Sequence, residues 1–247
     1  MDKFNEHLSA KGIVFACSMY NIQHTVTPVN GKLQVKLECE RPDVEIRYTM
    51  DGKEPTDRSL LYKSPLVVTG TQTIKCTTYR AGRQMGKTLT LPLVWNKATA
   101  KPVLGNTQAG KILVNGIRGS LRQSDFEWHS WESSDSVAFT IDLQKKESLR
   151  SVSVGCITNY GMAAHKPADI EVWVSNDNRD YRKVSGKQFT DGEIFREGTF
   201  KEDVVLDLNK EIGRYVRIIA KGAGECPATH VRPGQEARIY FDEVMIE

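Results

Sequence analysis

Apolar and polar residues alternate with a period of two along most of the chain from residue 33 onward, the mark of half-buried strands rather than helices. Leu33, Val35, Leu37 and Cys39 fall on one face, and Val44, Ile46, Tyr48 and Met50 share one face of the next segment. Ile74, Cys76 and Thr78 repeat the pattern, and Leu89, Leu91, Leu93 and Trp95 close it. Turn signals at Asn30-Gly31, Asp51-Gly52 and Gly82 separate these segments, so the spacing predicts a compact β-sandwich. Residues 96–110 lose the alternation and gain Pro, Gly, Asn and small residues, which reads as a domain boundary. The alternation then returns at Phe139, Ile141, Leu143; Val152, Val154, Cys156; Ile170, Val172, Val174; Tyr215, Arg217, Ile219; and Val244, Ile246. Short strands separated by long polar loops predict a second β-sandwich or jelly roll. Only residues 1–24 read as helical: Phe4 and Leu8 are spaced i,i+4, Asp2 is placed to cap and Gly12 to terminate.

At 247 residues the chain suffices for one large or two medium domains. The net charge of +3 is spread over interspersed Lys, Arg, Asp and Glu, and no basic stripe of the kind nucleic-acid binders use is present. Gln144-Lys145-Lys146 and Lys210-Glu211 read as solvated turns. No apolar stretch approaches the roughly 20 residues that span a bilayer. The first twenty residues carry Asp2, Lys3, Glu6, His7 and Lys11, so an export signal, if the protein is secreted, is expected elsewhere. The five cysteines, Cys17, Cys39, Cys76, Cys156 and Cys226, are odd in number and too widely spaced for a zinc site. Cys39, Cys76 and Cys156 fall on inward strand positions and read as small core residues. His129, His165 and His230 read as lacking any close i,i+2 or i,i+4 partner, so spacing lends no support to zinc. A serine-nucleophile elbow is also missing.

Ile46-Arg47-Tyr48-Thr49-Met50-Asp51-Gly52-Lys53-Glu54-Pro55-Thr56, followed by Ser59, Tyr62 and Pro65, resembles the small Fn3/Ig-like sandwich that follows the catalytic barrel in chitobiases and β-N-acetylhexosaminidases of glycoside hydrolase family 20. Leu113-Val114-Asn115-Gly116-Ile117-Arg118-Gly119-Ser120, Trp128, Trp131, Phe139-x-Ile141-Asp142-Leu143 and Ile170-Glu171-Val172-Trp173-Val174-Ser175-Asn176-Asp177 resemble the discoidin, or factor V/VIII type C, family. Arg214-Tyr215-Val216-Arg217-Ile218, Cys226-Pro227-x-x-His230 and Phe241-Asp242-Glu243-Val244 continue that resemblance. The fold class is therefore all-β: a helical segment over 1–24 left from a preceding barrel, a chitobiase C-terminal-like sandwich over 25–98, a linker over 99–110 and a discoidin-like jelly roll over 111–247.

The resemblance implies a non-catalytic carbohydrate-binding and spacer region of a secreted, periplasmic or cell-surface exo-β-N-acetylhexosaminidase of a glycan-degrading bacterium. The barrel that carries the family's catalytic Asp-Glu pair has no match in this chain. The implied partners are that barrel and a glycan ending in galactose, N-acetylgalactosamine or N-acetylglucosamine, with no nucleic acid and no membrane span. It also implies a structural calcium held by the Asn115 side chain, the Ile117 carbonyl, Ser120, the Asp242 carbonyl and the Glu243 carboxylate, an oxygen set suited to a hard cation. The family usually has Asp where this chain has Asn115, and the structural alternative is a plain Asn-Gly turn. Sugars need aromatic faces and paired polar groups, and the candidates are His129, Trp131, Glu132, Asn159, Tyr160, His165 and His230. Trp128 reads rather as a core anchor, and His230 has the alternative of bonding its own loop. The competing readings are a scaffold without sugar binding and an adhesion module for protein or lipid, with Phe126 and Met162 as the apolar loop tips.

Overall fold

The computed structural model describes residues 18–105, 108–131 and 136–247, so the helical expectation for Asp2 to Gly12 lies outside the described residues. Strand structure begins at Gln23, inside the segment expected to be helical, because a Thr- and Val-rich run there finds a β-partner. Backbone contacts divide the chain into two units: the described part of Met1–Val26 with Gln34–Leu93, and Thr27–Leu33 with Val94–Glu247.

The N-terminal strands are β1 (Gln23–Val29), β2 (Lys32–Glu38), β3 (Glu45–Thr49), β4 (Leu60–Leu61), β5 (Leu66–Val68), β6 (Gln72–Arg80), β7 (Arg83–Gln84) and β8 (Leu89–Leu93). They form a three-stranded sheet in the order β1-β2-β5 and a five-stranded sheet in the order β4-β3-β6-β7, with β8 also on β6. β2 buries Leu33, Val35 and Leu37 and exposes the four polar residues between and around them, as its alternation predicts. β6 also buries hydroxyls, each with a partner: Thr78 Oγ1 donates to the Tyr20 carbonyl at 2.8 Å and the Tyr79 hydroxyl to the Pro55 carbonyl at 3.0 Å.

The second unit holds β9 (Val103–Leu104), β10 (His129–Trp131), β11 (Val137–Asn159), β12 (Asp169–Ser175), β13 (Arg182–Gln188), β14 (Thr199–Lys221) and β15 (Ile239–Ile246). Their sheet runs β10-β15-β11-β14-β12-β13, with β9 added on β11. Edge strand β13 carries Arg182, Lys183 and Lys187, charges that discourage pairing with another chain. The core comprises Phe139, Ile141, Leu149, Val152, Val154, Ile170, Val172, Val174, Val216, Ile218, Phe241, Val244 and their neighbours.

Three expectations are corrected. On β14 the buried face is Val216, Ile218 and Ala220, while Tyr215, Arg217 and Ile219 stay half-exposed. Alternation alone does not say which of two apolar-rich faces points inward. The described residues of 99–110 are no free linker: Ala109 belongs to the core, as does the preceding Ala98, β9 pairs with β11, and Ala109–Ile112 forms one helical turn. Cys76 and Cys156 are buried, but Cys39 is only half-buried, with its thiol donating to the Met19 carbonyl. The basic clusters do mark bends, since Gln144, Asn209 and Lys210 adopt left-handed backbone where the β11–β14 register slips. No helix among the described residues is long and apolar enough to cross a membrane.

Candidate functional site

The region read as a calcium site is a buried ionic cluster joining the 113–120 loop to the last strand. Val244 N–H donates to the Leu113 carbonyl at 2.8 Å and fixes this junction. Between Val154 and Cys156 the register with β15 slips, and the resulting bulge carries Asp242 and Glu243, both 0% exposed. Asp242 Oδ2 accepts Arg118 Nε and Gly119 N–H, each at 2.9 Å, and its Oδ1 accepts Glu243 N–H at 2.6 Å. The Arg118 guanidinium also pairs with Asp203. Gly155, opposite Asp203 on β14, leaves the room that Asp242 and Arg118 occupy: a Cβ there would sit 1.9 Å from Asp242 Oδ1.

Asn115 forms a local turn, its Oδ1 accepting Ile117 N–H at 2.8 Å, while its amide donates to Glu127 Oε2 at 2.8 Å. The Ser120 carbonyl accepts the Trp128 indole N–H at 3.0 Å, and the Ser120 side chain accepts Arg122 N–H. Glu243 Oε2 accepts Gly116 N–H at 3.0 Å, but its Oε1 is buried without a hydrogen bond, as is Asn96 Nδ2. Burial pushes the Glu243 carboxyl well above the usual carboxylate range and the Asp242 charge adds to it, while the Gly116 N–H, the Arg118 charge and the nearby Asn96 side chain, which stands short of a well-formed hydrogen bond, act against it. An orphaned carboxylate oxygen fits a hard cation. The Asp242 side chain, by contrast, already has the Arg118 guanidinium as its cation.

The expected sugar residues divide into two groups. His129 and Trp131 lie on β10, in register with Phe241 and Ile239 of β15, and Glu132 lies outside the described residues. Trp131 is half-buried against the core, stacked on Phe139 with centroids 6.1 Å apart and edge-on to Phe241 at 5.2 Å. His129 meets the Trp131 ring at 4.5 Å, and burial lowers its pKa. Trp128 is buried, and a Cβ on Gly119 would meet its indole at 2.3 Å, so it is a core anchor. Trp131→Ala is expected to cost roughly 2 kcal/mol, below the ~3–5 of a fully buried aromatic, because Trp131 keeps part of its surface in solvent. A urea midpoint unchanged from the parent chain would show that its packing contributes nothing.

Asn159, Tyr160, His165 and His230 come together at one end of the sandwich. Asn159 and Ala164 exchange backbone hydrogen bonds around the helical turn Tyr160–Met162, and His165 N–H donates to the Arg238 carbonyl at 3.0 Å. Tyr160 is half-buried with its ring 3.9 Å from that of His230, and its hydroxyl lies 3.4 Å from the Thr229 carbonyl. The half-buried Asn159 amide makes no hydrogen bond among the described residues. Met162 and Val231 are exposed beside it, and Arg232 ties the two loops through the Gly161 carbonyl at 2.5 Å.

His165 and His230 do not present their rings to solvent, being 1% and 4% exposed. His165 Nδ1 lies 3.0 Å from the Ile194 carbonyl and so carries the proton; its Nε2 lies 3.2 Å from His230 Nε2. His230 Nδ1 accepts Arg232 N–H at 3.0 Å, so the proton between the rings belongs to His230 Nε2. Burial drives the His165 pKa to about 4 despite the Ile194 carbonyl, with His230 adding to the fall. The His230 pKa is lowered by burial and then by Arg232. Cys226 completes the group, its sulfur within 4.8 Å of the histidine ligand atoms. The sequence carried part of this signal, since Cys226 lies four residues before His230. The expectation that His230 lacks a close i,i+4 partner is thereby corrected, and His165 arrives from another loop.

A family model for the F5/8 type C domain matches residues 97–232, more than half of the 247. One for the chitobiase/β-hexosaminidase C-terminal domain matches residues 27–90. No curated protein sequence matches the chain. Among solved structures, CpGH89CBM32-5 from Clostridium perfringens, in complex with GalNAc-β-1,3-galactose, is 14% identical over 56% of this chain and 81% of its own, with a TM-score of 0.37. The C-terminal domain of a chitobiase from Bacteroides fragilis is 10% identical over 53% of this chain and 76% of its own, with a TM-score of 0.32.

Proposed function

The chain belongs to the F5/8 type C domain family, and on that premise we propose that it is the carbohydrate-binding and spacer region of a secreted glycoside hydrolase, an exo-β-N-acetylhexosaminidase. The match of residues 97–232 carries this reading, and the chitobiase-type module at 27–90 supports the parent. The second sandwich holds a terminal galactose, N-acetylgalactosamine or N-acetylglucosamine at the loop end where the Tyr160 ring and the unbonded Asn159 amide lie together. Millimolar affinity, about −4 kcal/mol, suffices for a module that acts by keeping an attached barrel near its substrate. Calorimetric titration with these three sugars and N-acetyllactosamine tests it. Saturable binding to one of them, weakened about three- to tenfold by Tyr160→Ala as expected for one aromatic face, supports the module. A flat response to tens of millimolar favours a scaffold, the reading to which the inward packing of Trp131 lends weight.

A calcium ion is the proposed partner of Glu243 Oε1, where it would staple the 113–120 loop to the last strand. Calcium at 100-fold over its dissociation constant then adds about 2.7 kcal/mol of stability, and Glu243→Gln removes that response. Equal melting temperatures in calcium and in chelator would mean that the buried carboxyl is kept neutral by a proton instead.

A further inference from the structure

We infer that His165, Cys226 and His230 form a binding site for one borderline divalent ion of the zinc class, which pins together the loops at that end of the second sandwich. Two imidazoles and a thiol suit zinc, and all three residues are buried with their ligand atoms within 4.8 Å of one another. Bonds of about 2.0–2.1 Å in a tetrahedron set two ligating nitrogens roughly 3.3 Å apart. His165 Nε2 and His230 Nε2 are 3.2 Å apart. His165 is oriented as a ligand should be, its Nδ1–H held by the Ile194 carbonyl and its Nε2 lone pair turned into the cluster. Cys226 and His230 are held on one turn, where His230 N–H donates to the Pro227 carbonyl at 2.9 Å and Cys226 N–H to the Gln235 carbonyl at 2.8 Å. Ala163, Cys226 and Ala237 make a small satellite core, with Phe195 against it, so the site is walled by apolar groups.

Loading the site moves protons in a defined way. The Cys226 thiol, whose proton affinity is raised by burial, loses its proton to solvent and becomes the thiolate ligand. His230 gives up the proton on Nε2 and takes one on Nδ1, remaining neutral, so one proton is released per ion. The new Nδ1–H can no longer accept Arg232 N–H, and the 231–235 turn must yield at that contact while Cys226 closes on the ion. The Arg232 N–H bond to His230 Nδ1 and the hydrogen bond between the two rings are thereby exchanged for the histidine bonds to the metal. Among the described residues no fourth protein ligand is at hand, and a water completes the tetrahedron, as in other three-ligand sites.

The test uses the whole 247-residue chain, freed of metal and titrated with Co2+ and then Zn2+ in excess calcium. One equivalent of Co2+ is expected to give the intense visible bands of a tetrahedral ion together with a thiolate-to-cobalt band, and Zn2+ to displace it. Calorimetry in buffers of different ionisation enthalpy should read one proton released per ion at neutral pH. Cys226→Ser should abolish the thiolate band and weaken binding at least tenfold, and His165→Gln should abolish the tetrahedral spectrum. His129→Gln, outside the cluster, should leave both intact. Should His165→Gln fail to fold, the thiolate band and proton count of the parent chain against Cys226→Ser still decide. A weak octahedral spectrum, or binding indifferent to Cys226→Ser, overturns the site and leaves a hydrogen-bonded pair of neutral histidines. These readouts do not depend on sugar binding, so failure of one leaves the other untouched.

Discussion

Arg118→Ala is expected to lower the unfolding free energy of the second unit by about 3 kcal/mol. The substitution leaves the Asp242 carboxylate, 0% exposed, with two backbone N–H donors and no cation, one residue from another buried acid. Breaking a buried pair from one side typically costs ~3–5 kcal/mol, because the remaining charge stays desolvated. The lower end applies because 28% of the Arg118 side chain reaches solvent and water fills part of the gap. All four tryptophans fall within Val94–Glu247, so urea unfolding followed by tryptophan fluorescence reports on this unit alone. Arg118→Ala, Asp242→Ala and the double variant close a cycle whose coupling should exceed about 1 kcal/mol. Additive single effects would mean that the two groups do not stabilise each other.

Gly155→Ala is expected to be at least as damaging, about 3–5 kcal/mol, although Gly to Ala in a strand interior ordinarily stabilises by roughly 0.5–1 kcal/mol. The new Cβ would lie 1.9 Å from Asp242 Oδ1 and 2.7 Å from an Arg118 guanidinium nitrogen. Asp242 has a short side chain held by three hydrogen bonds, so it cannot move aside without giving up the pair. Gly192→Ala is the control: nothing lies within 4 Å of its Cβ position in the Asp191–Ile194 helical turn, and stability should hold or rise slightly. A Gly155→Ala chain as stable as its parent would show that β15 can slide away from β11 at the bulge.

The strands that alternate cleanly were legible from residues alone. Leu33, Val35 and Leu37 in β2, and Ile170, Val172 and Val174 in β12, face inward as their spacing predicts. β14 was legible as a strand but not as to its buried face, because Tyr215-Val216-Arg217-Ile218-Ile219 offers bulk on both sides. The 96–110 segment misled through its composition: small residues such as Ala98 and Ala109 suit a loop, and they equally suit close approach within a core.

The candidate site was legible in outline only. Loops 159–166 and 225–232 are richer in polar and aromatic residues than connectors need, and they do meet. Which groups remain available there was not readable, since it depends on hydrogen bonds between distant segments. His165 and His230, 65 residues apart, spend their nitrogens on each other and on backbone. Arg118 and Asp242, 124 residues apart, make a cluster for which the local hint is Gly155 interrupting an alternating strand. By itself the sequence determined the all-β class, two tandem modules and the segments that become strands and turns, because periodicity, turn chemistry and family motif are local properties of the chain. Tertiary structure alone decided which β14 face is buried, that Ala98 and Ala109 join the second core, and that a guanidinium neutralises Asp242. Burial and pairing are set by groups brought from far along the chain, and no window of sequence contains both partners.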